Sequence, residues 1–210
     1  MGLGNPGSRY ARTRHNAGQV VVERVAARLG AGRAKVRYAG YFREARGPHG
    51  PLGILIPTTY MNDAGRSVGP AAGALGARPH QVLVVHDELD LPFGAVRGKA
   101  GGGAGGHNGV RSVIAGLGTG DFLRVRLGIG RPPREFRGDE ADWVLMPFGE
   151  PAEEVEALLA TGVAFVESVL EEGMDGAIAR FHAAEPGSRA RARRERRDAA
   201  EPEVAGEDPA

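Results

Sequence analysis

The stretch VLVVHDELD at residues 82–90 limits the possible folds more than any other part of the chain. Four consecutive apolar residues without polar alternation suit a strand covered on both faces, and the abrupt change to charge marks where that strand leaves the core. Such a strand needs helices to cover it. NAGQVVVERVAARLG (16–30) sets Ala17, Val21, Val25 and Leu29 on one helical face, with Asn16 as N-cap and Gly30 as stop. AGRSVGPAAGALG (64–76) reads as a weak helix interrupted by glycine, and NGVRSVIAGLG (108–118) as a helix opening at Asn108. EPAEEVEALLATGVAFVESVLEEG (150–173) is a long amphipathic helix with Val155, Leu159, Val163 and Val166 facing inward. LGILIP (52–57) reads as a second buried strand, and FLRVRLGIG (122–130) alternates with the period of a strand. The expected fold is α/β: a single three-layer domain with a mixed, largely parallel twisted sheet flanked by helices.

Composition removes several classes of function. The 210 residues include no cysteine, so disulfides and thiol chemistry are out, and the apolar runs are too short to cross a bilayer. The start, MGLGNPGSRY, has neither the charged nor the apolar region of a secretion signal, which points to the cytoplasm. A formal net charge of +1 means that any nucleic-acid contact must come from a local basic cluster. Composition shifts after about His182. Residues 183–210 carry six Arg and seven acidic residues with few large apolar side chains, and read as a disordered, solvated tail behind a folded unit at 1–182.

GLGNPG at residues 2–7 fits the G-x-G-x-x-G pattern of nicotinamide-binding proteins. That motif works only between a strand and a helix N-terminus, where pyrophosphate can sit on free backbone N–H groups. Here Pro6 and the segment SRYARTRHN separate it from the first helix, and Glu23, near the acidic position, falls inside the helical pattern. No G-x-S-x-G elbow and no H-E-x-x-H occur, and the six histidines are dispersed. Attack by an activated water is the chemistry that remains. His15 sits in a polar loop and needs an orienting carboxylate to act as a base. Asp87, beyond the apolar run, lies where open α/β sheets gather their catalytic groups. His86 and Glu88 compete for that role, and sequence distance does not separate them. Asn5, Asn62 and Asn108 lie in glycine-flanked loops, where an amide serves either as a turn residue or as a donor to a developing oxyanion.

The order of GLGNPG, TRHNAG, TYMNDAGRSVG, VLVVHDELDLPFG, GGGAGGHNG and FLRVRLGIGRP resembles that of bacterial peptidyl-tRNA hydrolases, over residues 2 to about 182. The resemblance implies a monomeric, metal-independent enzyme that needs no cofactor and hydrolyses the ester between a peptide and the terminal ribose of tRNA. It implies His15 as general base, Asp87 as its partner, and Asn5, Asn62 and Asn108 as the amides that hold the peptide and its carbonyl and stabilise charge on oxygen. Tyr10 and Met61 would line the channel around the CCA end and the peptide. Arg97, Lys99 and Arg126 would grip the acceptor stem and its 5′-phosphate, whereas the plainer reading of Arg124 and Arg126 is a solvated strand face. The glycines of GGGAGGHNG would let the backbone approach the RNA end and act as a lid, with free N–H groups at the helix opening on Asn108. Such proteins normally carry a first strand ahead of GLGNPG at the centre of the sheet. Here the motif follows Met1 directly, so the expectation is either that translation starts upstream of this sequence or that the strand is missing and the copy destabilised. A non-catalytic relative that binds the tRNA acceptor stem is the main rival, and an enzyme that uses a nicotinamide cofactor is a weaker one.

Overall fold

The computed structural model describes residues 1–183, so the tail expected at 183–210 lies, but for its first residue, outside the described residues. Six strands and five α-helices make up this part of the chain: α1 (Ala17–Arg28), β1 (Lys35–Arg37), β2 (Gly40–Gly47), β3 (Gly50–Pro57), α2 (Gly65–Leu75), β4 (Leu83–Glu88), β5 (Val96–Ala100), α3 (Asn108–Leu117), β6 (Leu123–Gly128), α4 (Glu140–Val144) and α5 (Ala152–Ala183). α5 continues past the expected stop and is broken at Gly173, whose φ of 80° is not helical.

The strands form two three-stranded sheets in the orders β1-β2-β3 and β4-β6-β5. Only β4 and β6 run parallel, and the other three pairs are antiparallel. The expectation of a largely parallel sheet is therefore corrected. Its source was the β1–β3 meander and β5, whose exposed, charged residues mask the strand pattern.

Met1–Leu3 joins the two sheets. Gly2 N–H donates to the Leu55 carbonyl on β3 at 3.1 Å, Leu3 N–H donates to Val85 on β4 at 3.0 Å, and Val85 N–H donates to Met1 at 2.9 Å. The position expected to lack a strand is thus held by these three residues, which deliver the following loop, and Asn5 with it, to the end of β4. The Met1 ammonium donates to the Leu83 carbonyl at 2.8 Å, and burial lowers its pKa to about 5. A cavity of about 680 Å³ adjoins Met1 between β3 and β4.

Alternation along β4 divides the core. Val85 packs with α1 and α5 around Val21, Val125 and Phe165, while Val84 packs with α2 and α3 around Val68, Val110 and Phe122. Two glycine contacts set the site. A Cβ at Gly18 would collide with the Val85 carbonyl, so glycine lets the first turn of α1 touch the backbone of β4. Gly65 and Gly69 both meet Gly116 in the same way where α2 crosses α3, which accounts for two of the glycines in the α2 sequence.

Candidate active site

The turn Arg14–Asn16 enters α1 beside the end of β4, and each of its residues has a different anchor. Arg14 donates to the Pro147 carbonyl at 2.6 Å, pairs with Glu150 at 3.1 Å and lies 3.7 Å from the centre of the Trp143 ring. Asn16 leaves α1 uncapped and instead grips the backbone of Asn5: its Oδ1 accepts from Asn5 N–H and its Nδ2 donates to the Asn5 carbonyl, both at 2.9 Å. His15, between them, donates from Nδ1 to both oxygens of Asp87, at 3.0 and 2.9 Å. Of the three neighbours, Asp87 is the one in contact with His15. His86 points elsewhere and donates from Nδ1 to the Asp87 carbonyl at 2.6 Å, while Glu88 faces Arg126 at 3.8 Å.

With its Nδ1 proton on Asp87, His15 keeps Nε2 as an acceptor. Burial is the largest single influence on this imidazole and favours its neutral form, but the charge and hydrogen bond of Asp87 together outweigh it and raise the pKa. Asp87 is 1% exposed. Burial, the largest influence there, disfavours its charge, yet His15 and His107 more than compensate and hold the carboxyl well below its ordinary range. His86 is buried and its pKa falls to about 3, through desolvation first and the neighbouring His107 second.

A crevice of about 660 Å³ opens on this pair, lined among others by Asn5, His15, Met61, Asn62, Asp87 and Asn108. Asn5 Oδ1 accepts from Met61 N–H at 2.8 Å, which leaves its Nδ2 as the group to offer a ligand. Glu88, Asp90, Arg131 and Glu140 line the other end, where Arg131 pairs with both Asp90 and Glu140. Tyr10 is not part of the lining; it packs edge-on against Tyr60 with ring centres 6.5 Å apart. Arg97, Lys99 and Arg126 also lie outside the crevice, on β5 and β6, where the register sets Arg97 opposite Arg126 and Lys99 opposite Arg124.

Three residues that sequence reasoning passed over carry part of the site. Asn16 is one. His107 is the second: its Nε2 donates to Asp87 Oδ1 at 2.9 Å while its Nδ1 accepts from Gly109 N–H at 3.1 Å and Val110 N–H at 3.3 Å. The N–H groups expected to stand free at the start of α3 are therefore capped by this side chain. Arg124 is the third. It is buried rather than solvated, and its guanidinium donates to the carbonyls of Gly102, Gly103 and Gly120, bracing the glycine loop. Gly101, Gly102, Gly105 and Gly106 all have φ between 55° and 101°, so this loop needs glycine for its backbone path. Among the described residues, His15, Asp87 and His107 also form a group whose potential metal-ligand atoms lie within 4.8 Å of one another; here those atoms hydrogen-bond together. No helix opens within GLGNPG, since α1 begins only at Ala17, so the arrangement a nicotinamide pyrophosphate requires is not formed there.

Fold and crevice together define an α/β protein with a buried, hydrogen-bonded histidine–aspartate pair lining a crevice. The chain belongs to the peptidyl-tRNA hydrolase family, whose model matches residues 1–190. It is 49% identical over 186 residues to a peptidyl-tRNA hydrolase of Mycobacterium tuberculosis (strain ATCC 25618 / H37Rv), covering 87% of this chain and 96% of that one. A peptidyl-tRNA hydrolase of Pseudarthrobacter chlorophenolicus is 46% identical over 187 residues, covering 88% and 94%. The crystal structure of peptidyl-tRNA hydrolase from Acinetobacter baumannii superposes with a TM-score of 0.74 at 35% identity, over 85% of this chain and 92% of that one.

Proposed function

We propose that this chain hydrolyses the ester between peptide and tRNA in peptidyl-tRNA, with His15 as the base that takes a proton from water. The observation that carries this reading is the His15–Asp87 pair in the lining of the crevice: Asp87 fixes the ring with its proton on Nδ1, so Nε2 accepts the water's proton as the oxygen attacks the ester carbonyl. Asp87 then steadies the imidazolium. The proton passes to the departing ribose oxygen, and free peptide and tRNA result. Asn5 Nδ2, with the amides of Asn62 and Asn108, holds the peptide carbonyl and stabilises the developing oxyanion. Met61 walls the channel for the CCA end, and Tyr10, which packs on Tyr60 outside the crevice lining, meets the substrate beyond it. Arg97, Lys99 and Arg126 grip the phosphates of the acceptor stem. Residues 1–182 form the catalytic domain of a monomeric, three-layer cytoplasmic enzyme, and no helix among the described residues is long and apolar enough to cross a membrane.

Release of peptide from purified peptidyl-tRNA is the test. His15→Ala lowers kcat/KM by about 10²- to 10⁴-fold. Because Asp87 raises the pKa of His15, the rate of the parent enzyme falls on the acid side at a pH above that of a free imidazole. A binding relative without turnover would release no peptide in either form. A rate unchanged by the substitution removes His15 from the mechanism.

A further inference from the structure

Asp87 serves two imidazoles, and the second has no freedom in how it does so. His107 Nδ1 accepts backbone N–H groups from Gly109 and Val110, so that nitrogen carries no proton. The proton of the ring must sit on Nε2, which donates it to Asp87 Oδ1 at 2.9 Å. The cap on α3 therefore fixes the tautomer that feeds the carboxylate. The ring is wedged between His15, with centres 4.9 Å apart, and His86, at 4.8 Å. Its backbone N–H bonds to Ala104, inside the loop that Arg124 pins at Gly102 and Gly103. Arg124, the glycine loop, His107, Asp87 and His15 thus form one continuous chain of contacts.

We propose that His107 is a positioning residue that shares Asp87 with His15, limiting how strongly the carboxylate holds a proton on His15 and tying the loop that bears Asn108 to the base. A carboxylate that accepts a second N–H has part of its charge satisfied, and it stabilises a neighbouring imidazolium less than an unshared one would. Too strong a hold would leave His15 protonated, and a protonated ring accepts nothing from water. The other charged or titratable groups nearby do not supply this control. His86, from β4, is buried with its Nδ1 proton on a backbone carbonyl. Arg124, from β6, is spent on loop carbonyls, and at the far end of the crevice Glu88 faces Arg126 while Arg131 pairs with Asp90 and Glu140.

This assignment rests on His15 being the base, and the test separates the two ideas. His107→Asn keeps an oxygen that caps α3 but is too short to donate to Asp87. In this variant the titration of the His15 ring, followed by NMR, moves up by about half a unit to one unit, and the acid limb of kcat/KM for peptide release moves with it. A His15 titration unchanged in folded His107→Asn overturns the proposal, whatever happens to activity. A titration that moves while the acid limb stays put supports the sharing of Asp87 and removes His15 as the base. Should the variant not fold, ring nitrogen shifts of the parent protein decide: a proton on Nε2 alone supports the assignment, and a proton on Nδ1 of His107 sinks it.

Discussion

Asn16 closes two hydrogen bonds on the backbone of Asn5, accepting the peptide N–H and donating to the carbonyl of the same residue. All of these groups are buried, so truncation strands a donor and an acceptor away from water. Asn16→Ala is expected to cost about 1–3 kcal/mol in urea denaturation and, with Asn5 in its proposed role at the peptide carbonyl, to lower kcat for peptide release by roughly 10²-fold as Asn5 shifts. Equal kcat in the variant and the parent would mean that Asn5 needs no such anchor. At this scale the sequence was informative about chemistry and silent about pairing. His15 and Asp87 were legible as an imidazole and a carboxylate that could pair beyond a strand end, and they do pair. That Asp87 rather than His86 or Glu88 faces His15 follows from side-chain direction at the end of β4, which spacing does not encode. Asn16 stands where a helix cap belongs and its residue type fits one, so nothing local distinguishes the cap from the grip on Asn5.

The pair β5·β6 places cations opposite cations, Arg97 against Arg126 and Lys99 against Arg124. Like charges directly across a ladder are destabilising, and here each of the β6 arginines meets a compensating group: Arg124 the loop carbonyls, Arg126 the carboxylate of Glu88. The two members of this set on β5, Arg97 and Lys99, follow alternate positions and so share a face of the strand. If that face takes acceptor-stem phosphates, Lys99→Gln removes one counterion-releasing contact. The logarithmic salt slope of tRNA binding should then become shallower by about 0.7–0.9, with kcat for bound substrate unchanged. An identical slope would take Lys99 out of the RNA contact. The helices α1, α2, α3 and α5 and the strands β3, β4 and β6 were legible because their buried faces keep a clear period, whereas the five-residue α4 is too short to show one. β1, β2 and β5 were not: β1 is exposed throughout, the second half of β2 is largely so, and β5 carries two cations and a glycine in five residues. Their pairing is imposed by neighbours, not by their own pattern.

Across the whole molecule, acid acts on the fold through groups that the core holds in one charge state. His86 is held neutral by burial, with its pKa lowered to about 3. In the unfolded chain the same ring takes a proton near its ordinary value of about 6.5, so between those two values the unfolded state binds more protons and stability falls as the pH is lowered. Asp87, held ionised, adds its loss only at more acid pH, below the ordinary carboxylate range. His15 runs the other way: its raised pKa gives stability that is fully present below about 6.5 and lost as the pH rises through the folded value. In the interval from about 6 to 4, then, His86 is the dominant titrating histidine. His86→Leu removes that proton uptake at the cost of one hydrogen bond to the Asp87 carbonyl, which lowers stability by a similar amount at every pH. The measurement is therefore the slope and not the level. Thermal melting followed from pH 7 to pH 4 should drop distinctly less in His86→Leu than in the parent, and parallel curves would show that the buried ring is not what acid titrates.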